Sequence, residues 1–243
     1  MPEGTVNWRD LGDLPARHGS RLMPGRLFRS DTLQELNPDD VTTVTGLLGV
    51  RTVVDLRYRQ ESVVEGSGLL GRTAVAHHRL PMVGRDGDDS THALPGDEAD
   101  HLVPWYLSML EVSPEHIAQA FILLAHPGSL PAVVHCAAGK DRTGVLVALV
   151  LSSIGVADDV VAWDYARSTL ALPRILSRLA TMQTYGAQPA GLRPERNRTE
   201  ASTMLNFLAG VRARHGSVER YLQGIGVSRA IIDDLHAALT RSE

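Results

Sequence analysis

The chain has 243 residues, of which 43% are hydrophobic and 21% are charged, a balance typical of a folded, soluble protein and not of a disordered one. Its formal net charge of -4 argues against nucleic-acid binding, which requires a basic face that neutralises phosphates. The single cysteine, Cys136, excludes an intramolecular disulfide.

The sequence contains no candidate membrane span and no obvious targeting signal. The longest apolar stretch, 145–154, is too short to cross a bilayer, and the first residues lack the basic start and apolar run of a secretory signal. We therefore expect a cytoplasmic protein, although export by a route that needs no such signal stays open. No repeat or change of composition divides the chain, so we expect one domain over residues 1–243.

Four short apolar runs are predicted to be strands because they are rich in β-branched residues and are flanked by turn residues. In chain order they are 27–30, 52–56, 78–82 and 132–136, of which the second and fourth give the stronger signal. The strong pair has the continuous apolar character of strands that are covered on both faces of a sheet.

Helical segments alternate with these strands. Asn37 and Ser113 each precede a proline and an acidic residue, which is a typical helix start. The run 143–153 predicts a buried helix directly after the fourth strand. Further helix starts are expected at Ala157, Pro173, Thr199, Ser217 and Ser228. The alternation predicts an α/β fold with a mainly parallel central sheet, helices on both of its faces and a helical C-terminal part at 157–243.

The loop between the fourth strand and the following helix has the composition of an anion-binding site. At a helix N-terminus, unpaired N–H groups and the helix dipole favour an anion, and the same field favours the thiolate form of Cys136. Gly139 allows the backbone to approach phosphate oxygens closely. Arg142, after five intervening residues, can bind two phosphate oxygens with its planar guanidinium. This pattern predicts phosphate chemistry on a cysteine nucleophile.

Other residues of this loop have expected roles in binding. The backbone at Ala137 and Ala138 is predicted to bind phosphate together with that of Gly139 and Lys140. Lys140 adds a positive charge that favours a substrate with more than one phosphate, the alternative being an exposed lysine that only raises the local potential. His135 is expected to fix the loop through its ring nitrogens, and Thr143 to donate a hydrogen bond to the sulfur.

The segment HCAAGKDRTG resembles the phosphate loop of the protein tyrosine phosphatase superfamily, and in particular that of the atypical bacterial tyrosine/serine phosphatases. Further similar segments are NWRDLG at 7–12, GRLFRSD at 25–31, VVDLR at 53–57 and the pattern around 221–227. The resemblance covers nearly the whole chain. It departs from the family at Asp13, where a second glycine is usual, so the turn there is expected to differ slightly.

This resemblance implies a protein-tyrosine-phosphatase-like fold and a phosphocysteine intermediate on Cys136. The expected substrates are phosphoproteins, with phosphotyrosine first and phosphoserine or phosphothreonine also accepted, or phosphoinositides. No metal and no other cofactor is expected, because thiolate chemistry needs none and the ten histidines have no metal-ligand spacing.

The general acid and base is expected to be an aspartate, and three candidates stay open. Asp141 lies within the loop, where its alternative role is to shape the loop through an ion pair with Lys140 or another basic residue. Asp55 ends a predicted central strand, where functional residues of parallel sheets gather, and its alternative is a structural ion pair with Arg57 or Arg59. The third candidate is a group in a flexible-looking segment: Asp86, Asp88, Asp89, Asp97 and Asp100. We rank them in this order.

A helical lid over the site is a further expectation, at 84–112. The part from 97 to 110 contains Trp105 and Tyr106, and a lid would exclude water and protect the thiolate. The alternative is an ordinary amphipathic helix packed on the core.

Two other functions compete with phosphate hydrolysis. A rhodanese-type sulfurtransferase also places a cysteine in an anion-binding loop after a strand, and a phosphate-binding module without catalysis would keep the pocket alone. The histidine before the cysteine and the complete set of cysteine, arginine and acid favour the phosphatase. An inositol polyphosphate is an alternative substrate for the same mechanism.

Overall fold

The computed structural model describes residues 1–83, 102–186 and 198–242. The strands are β1 (Arg9–Asp10), β2 (Ser20–Leu22), β3 (Leu27–Ser30), β4 (Thr52–Asp55), β5 (Ala76–Arg79), β6 (Ala132–His135) and β7 (Thr240–Ser242). Five of them form the central sheet in the order β1-β3-β6-β4-β5. β3, β6, β4 and β5 run parallel, and the short β1 is antiparallel to β3. The predicted, mainly parallel sheet is confirmed.

The helices of the described residues are α1 (Pro38–Thr42), α2 (Arg59–Glu65), α3 (Leu102–Val112), α4 (Pro114–Ala125), α5 (Asp141–Ser153), α6 (Asp158–Ala166), α7 (Leu172–Thr181), α8 (Ala201–His215), α9 (Val218–Gly224) and α10 (Arg229–Leu239). All the predicted helix starts fall within two residues of the observed ones. Asn37 caps α1 by accepting a hydrogen bond from the amide of Asp40 at 2.8 Å, and Ser217 and Ser228 cap α9 and α10 in the same way. None of these helices is long and apolar enough to cross a bilayer.

Alternation along the strands creates two apolar layers, one on each face of the sheet. Val53 and Val133 point to a small cluster formed with Trp8, Phe28 and the segment around α1. Their neighbours Val54 and Val134 point to the main core, which is built with α3, α4, α5 and the C-terminal helices. Helices therefore flank both faces, as the sequence predicted.

The predicted strands differ from the structure in two respects, for different reasons. The run 78–82 is a strand only at its start, since β5 ends at Arg79; Leu80 and Met82 are buried beyond it, so their apolar side chains suggested a strand that continues. β2 and β7 form a separate two-stranded sheet and were not predicted, because their polar residues give no apolar alternation.

The register of the sheet brings the ends of β4 and β6 together. Asp55 is directly paired with His135, and the chain leaves β6 through Cys136 into α5. Every residue of α5 after Asp141 is buried. Because that helix is packed on all sides, its N-terminus is held rigidly against the carboxyl edge of the sheet, where sites in such folds lie.

Candidate active site

The sulfur of Cys136 lies at the base of the loop that joins β6 to α5. The residue is only 1% exposed, and its Sγ accepts a hydrogen bond from the amide of Gly139 at 3.2 Å. Gly139 has a φ of 65°, and a Cβ atom there would lie 2.3 Å from the carbonyl oxygen of Ser30. Glycine is required at this position because the loop turns tightly while in contact with β3.

The carbonyl groups of the loop accept hydrogen bonds from residues on the side of the loop away from the sulfur. The amide of Thr32 donates to Ala137 O at 3.0 Å. The Asn7 side-chain amide donates to the carbonyls of residues 138 and 139 at 3.1 and 3.0 Å. Arg29 Nη2 donates to the carbonyl of residue 139 at 2.9 Å. The motif residues near the N-terminus of the chain thus support the loop directly.

Arg142 lies at the other end of the loop and is 6% exposed. Both of its terminal nitrogens donate to the carboxylate of Glu61, with Nη2 3.0 Å from Oε1, and Nη2 also donates to the Tyr185 hydroxyl at 3.1 Å. The guanidinium carbon lies 4.5 Å from the centre of the Tyr58 ring. Burial opposes the charged form, but the Glu61 carboxylate outweighs it and raises the pKa of Arg142 well above its usual value.

Asp55 is held by two neighbours at the end of β4. Arg57 donates from Nε to Oδ1 at 2.9 Å and from Nη2 to Oδ2 at 2.8 Å, and His135 Nε2 lies 3.6 Å from Oδ1. Burial opposes ionisation, yet His135 and Arg57 hold the pKa of Asp55 at about 2. Burial lowers the pKa of His135 to about 4. At neutral pH the carboxylate of Asp55 is therefore ionised and the imidazole of His135 is uncharged.

Asp141 contacts two hydroxyl-bearing or charged side chains at the start of α5. The buried Tyr106 of α3 donates to Oδ1 at 2.5 Å, and the hydroxyl of Tyr106 also lies 2.7 Å from that of Tyr165. Oδ2 lies 3.5 Å from Nζ of Lys140. The Asp141 side chain is fixed by these contacts but remains 18% exposed.

Of the remaining loop residues, some make the predicted contacts and one does not. His135 contacts the carbonyl of Cys136 through Nδ1 at 3.2 Å, in line with the predicted role in fixing the loop. Lys140 is 4% exposed, so it is not a surface lysine. The predicted bond from Thr143 to the sulfur is not formed: its hydroxyl is buried and has no hydrogen-bond partner among the described residues. The amide of Gly139 is the donor that reaches Sγ instead.

The predicted lid at 84–112 falls partly outside the described residues. Residues 84–101, with Asp86, Asp88, Asp89, Asp97 and Asp100, belong to that part. Within 102–112, Tyr106 is fully buried and α3 packs against α4, α5 and α8, which matches the alternative of a helix packed on the core.

A different segment covers the phosphate loop. Ile175 and Leu179 of α7, together with Tyr185, pack on Ala137 in one buried cluster. Thr184 donates to the carboxylate of Glu65 at 2.8 Å from both its amide and its hydroxyl. The loop is thus covered at Ala137 by α7 and Tyr185.

The described parts of the chain contain no group of three or more His, Cys, Asp or Glu side chains placed to hold a metal ion.

Sequence reasoning missed several residues that reach this site. Glu61 and Tyr185 at Arg142 were not predicted, and neither was Tyr106 as the partner of Asp141. Glu61 had a local signal, because a glutamate in the first turn of a helix just after a central strand is suited to bonding the helix start; its carboxylate accepts from the amide of Tyr58 at 2.6 Å. Tyr185 had no such signal, since it lies in an irregular segment far along the chain.

Comparison with known proteins gives a consistent result over almost the full length. The model of a family described as "Tyrosine phosphatase family" matches residues 2–241. The triple specificity protein phosphatase PtpB of Mycobacterium tuberculosis is 27% identical over 276 aligned positions, which cover 97% of each chain. A putative tyrosine-protein phosphatase of Cupriavidus necator is 30% identical, covering 89% of this chain and 80% of its own. A tyrosine-protein phosphatase of Nostoc commune is 28% identical, covering 93% and 78%.

Proposed function

Since the chain belongs to the tyrosine phosphatase family and is an enzyme of the protein tyrosine phosphatase type, we propose that Cys136 is its nucleophile and Arg142 its phosphate-binding arginine. The single observation that carries this assignment is the loop itself. The thiol of Cys136 lies at its base, the loop carbonyls are bonded from behind, and Arg142 closes its far end.

The reaction proceeds in two displacements at phosphorus. The Cys136 thiolate attacks phosphorus, the bond to the leaving oxygen breaks, and that oxygen takes a proton from the general acid. Water then attacks the phosphocysteine, the phosphorus–sulfur bond breaks, and the same carboxylate takes the proton of the water. Inorganic phosphate leaves and the thiolate is restored.

Arg142 binds two non-bridging oxygens of the phosphate and stabilises the charge that they gain in the transition state. Its ion pair with Glu61 supports this role, because a buried guanidinium held at two points does not have to be ordered when the substrate arrives. The backbone amides of residues 137–140 complete the cradle, and Lys140 and Thr143 line the same loop.

Asp141 is the general acid and base in this proposal, and Asp55 is a positioning residue. A group with a pKa of about 2, with both oxygens bonded to Arg57, is a weak candidate for delivering a proton near neutral pH. Asp141 lies in the loop, and among the described residues the nearest charged partner of its Oδ2 is Nζ of Lys140, at 3.5 Å.

We propose substrates of more than one class. A relative is named as a triple specificity phosphatase, which supports phosphotyrosine together with phosphoserine and phosphothreonine. The buried Lys140 next to the loop supports phosphoinositides as a second class. We assign the activity to one phosphatase domain over residues 1–243 and place it in the cytoplasm.

The test is release of phosphate from para-nitrophenyl phosphate in excess chelator, with wild type and Cys136→Ser compared. Turnover by the wild type alone is expected, with binding of inorganic phosphate retained in the variant. Activity in Cys136→Ser would overturn the phosphocysteine mechanism. Sulfur transfer from thiosulfate to cyanide, with no phosphate release, would favour the sulfurtransferase.

A further inference from the structure

The phosphate loop is bonded on its outer side by two buried residues to which the reaction above gives no role. Asn7 and Arg29 are 5% and 1% exposed and come from the N-terminal segment and from β3. The Asn7 amide nitrogen lies 3.1 Å from the carbonyl oxygen of Ala138. Nη2 of Arg29 lies 2.9 Å from that of Gly139 and 3.4 Å from that of Lys140.

The orientation of each peptide plane follows from these bonds. In a trans peptide the N–H points away from the C=O of the same plane. Asn7 holds the carbonyl of Ala138, and the N–H of the same plane, that of Gly139, donates to Cys136 Sγ at 3.2 Å. Arg29 and Asn7 both donate to the next carbonyl, that of Gly139, at 2.9 and 3.0 Å, which directs the N–H of Lys140 to the side of the loop on which the sulfur lies. One hydrogen-bonded chain thus runs from the Asn7 amide through a peptide plane to the nucleophile.

Asn7 and Arg29 are themselves fixed by an ionic group behind the loop. Asp164 accepts from Arg29 Nη1 at 2.6 Å and from Arg9 Nε at 2.7 Å. Arg9 in turn donates to the side-chain oxygen of Asn7 at 2.7 Å. The guanidinium groups of Arg9 and Arg29 share the one carboxylate of Asp164, so these three side chains together carry one net positive charge. This charge lies on the outer side of the loop and favours an anion within the loop.

We propose that Asn7 and Arg29 are positioning residues of the phosphatase reaction: they turn the peptide planes after Ala138 and Gly139 so that their N–H groups point at the Cys136 thiolate and the bound phosphate. A donor on the carbonyl also polarises the peptide and strengthens the hydrogen bond that its N–H makes. This inference deepens the proposed function and rests on it for the identity of the nucleophile.

The thiol itself supplies a readout that does not depend on turnover. Cys136 is the single cysteine of the chain, so alkylation by iodoacetamide reports this thiolate alone. The charged and titratable groups around it are Arg142, Glu61, Tyr58, Tyr185, His135, Lys140 and Asp141. None of them is changed in the variants below.

Asn7→Ala and Asn7→Asp both remove the donor to the loop, and the second keeps the side-chain volume and an acceptor for Arg9. We expect the midpoint of the alkylation rate against pH to rise by about one unit in both. The matched control is Ser168→Ala, because Ser168 Oγ accepts from Asn7 and Arg9 at 3.2 Å and has no hydrogen bond to a loop carbonyl in the described part of the chain. Its midpoint should stay at the wild-type value.

Arg29 is tested through oxyanion binding. Arg29→Met should weaken inhibition by orthovanadate about tenfold, and Arg29→Lys, which keeps the charge without the planar fork, should weaken it less. Thermal unfolding followed by circular dichroism identifies the folded variants. If neither Asn7 variant folds, the orthovanadate inhibition of Arg29→Lys tests the positioning role instead.

A lower melting temperature with an unchanged alkylation midpoint and unchanged orthovanadate affinity would overturn the proposal, because a purely structural role predicts that result. A failure of the proposed phosphatase function would give a different result from a failure of the positioning role. A wild-type protein without phosphatase turnover, whose alkylation midpoint still rises in Asn7→Ala, would refute the reaction and leave the positioning role in place.

Discussion

Glu61 and Arg142 form a two-point ion pair in which both terminal nitrogens of the guanidinium bond the same carboxylate. The carboxylate is fully buried and also accepts from the Tyr185 hydroxyl at 2.5 Å and from the Tyr58 amide. Both of its oxygens are therefore saturated with donors. Glu61 lies in α2, 81 residues before Arg142 in the chain. The position of α2 therefore sets the direction in which the other N–H groups of Arg142 point.

Glu61→Gln should lower kcat/KM at least tenfold and destabilise the fold by about 3 kcal/mol, because it leaves a buried guanidinium without its counter-charge. Steady-state kinetics and urea unfolding measure the two effects. Glu65→Gln, on the same helix but bonded to Thr184 and not to Arg142, is the control and should change kcat/KM less than threefold. Equal effects of the two substitutions would contradict a specific role for Glu61.

Asp141→Asn should slow hydrolysis of aryl phosphates about a hundredfold when the leaving group is poor, and much less when it is good, because only a poor leaving group needs a proton. Asp55→Asn should give a similar loss across all leaving groups, since it disturbs Arg57 and His135 and not proton transfer. The measurement is kcat/KM for a series of substituted phenyl phosphates. A leaving-group dependence that appears only in Asp55→Asn would show that Asp55, and not Asp141, is the general acid.

Tyr106→Phe removes the hydroxyl that donates to Asp141 Oδ1 at 2.5 Å while the buried ring is kept. We expect a loss of about tenfold for poor leaving groups and little loss for good ones, because the acid loses its orientation and not its proton. Tyr221→Phe is the matched control, since that buried hydroxyl donates to the carbonyl of Leu110 at 3.0 Å. A parallel loss in both variants would indicate a general effect on stability.

The uncharged state of His135 predicts a pH dependence of stability. Its pKa falls from 6.5 to about 4 on folding, so between these values the unfolded chain binds more protons than the folded one. Stability is therefore fully present above pH 6.5 and is lost as the pH falls towards 4, by up to about 3 kcal/mol. Asp55 adds a separate loss below its unfolded pKa of 3.8, towards about 2.

Urea unfolding at pH 7 and pH 4.5 measures the His135 effect apart from that of Asp55. His135→Asn should be less stable at pH 7 but should lose less stability between the two pH values. His236→Gln is the control, because His236 is partly exposed and its pKa is also lowered by burial. A wild-type stability that does not change between pH 7 and pH 4.5 would show that His135 titrates normally in the folded protein.

Asp13 stands where the family usually carries a second glycine, and the structure shows the backbone conformation at this position. At Asp13 a departure from the family pattern predicted a different turn, and the residue has a φ of 64°, in the left-handed region that favours glycine. Aspartate adopts this region more readily than most residues other than glycine. The expected difference from the family's turn stays a prediction.

The sequence by itself determined the strand, the loop and the helix that carry Cys136 and Arg142. These residues lie within ten positions of one another, so the spacing of Cys136 and Arg142, the glycine between them and the apolar helix are all local properties. The parallel sheet followed from the alternation of strands and helices in the same way.

Only the tertiary structure decided which other side chains meet at that loop. Asn7, Glu61, Tyr106 and Tyr185 come from four distant segments, and each contact depends on the packing of whole elements, which no short-range pattern encodes. The choice between Asp141 and Asp55 was open for the same reason. The chemical character of an aspartate depends on the groups that burial and sheet register place beside it, here Tyr106 and Lys140 for the first, and Arg57 and His135 for the second.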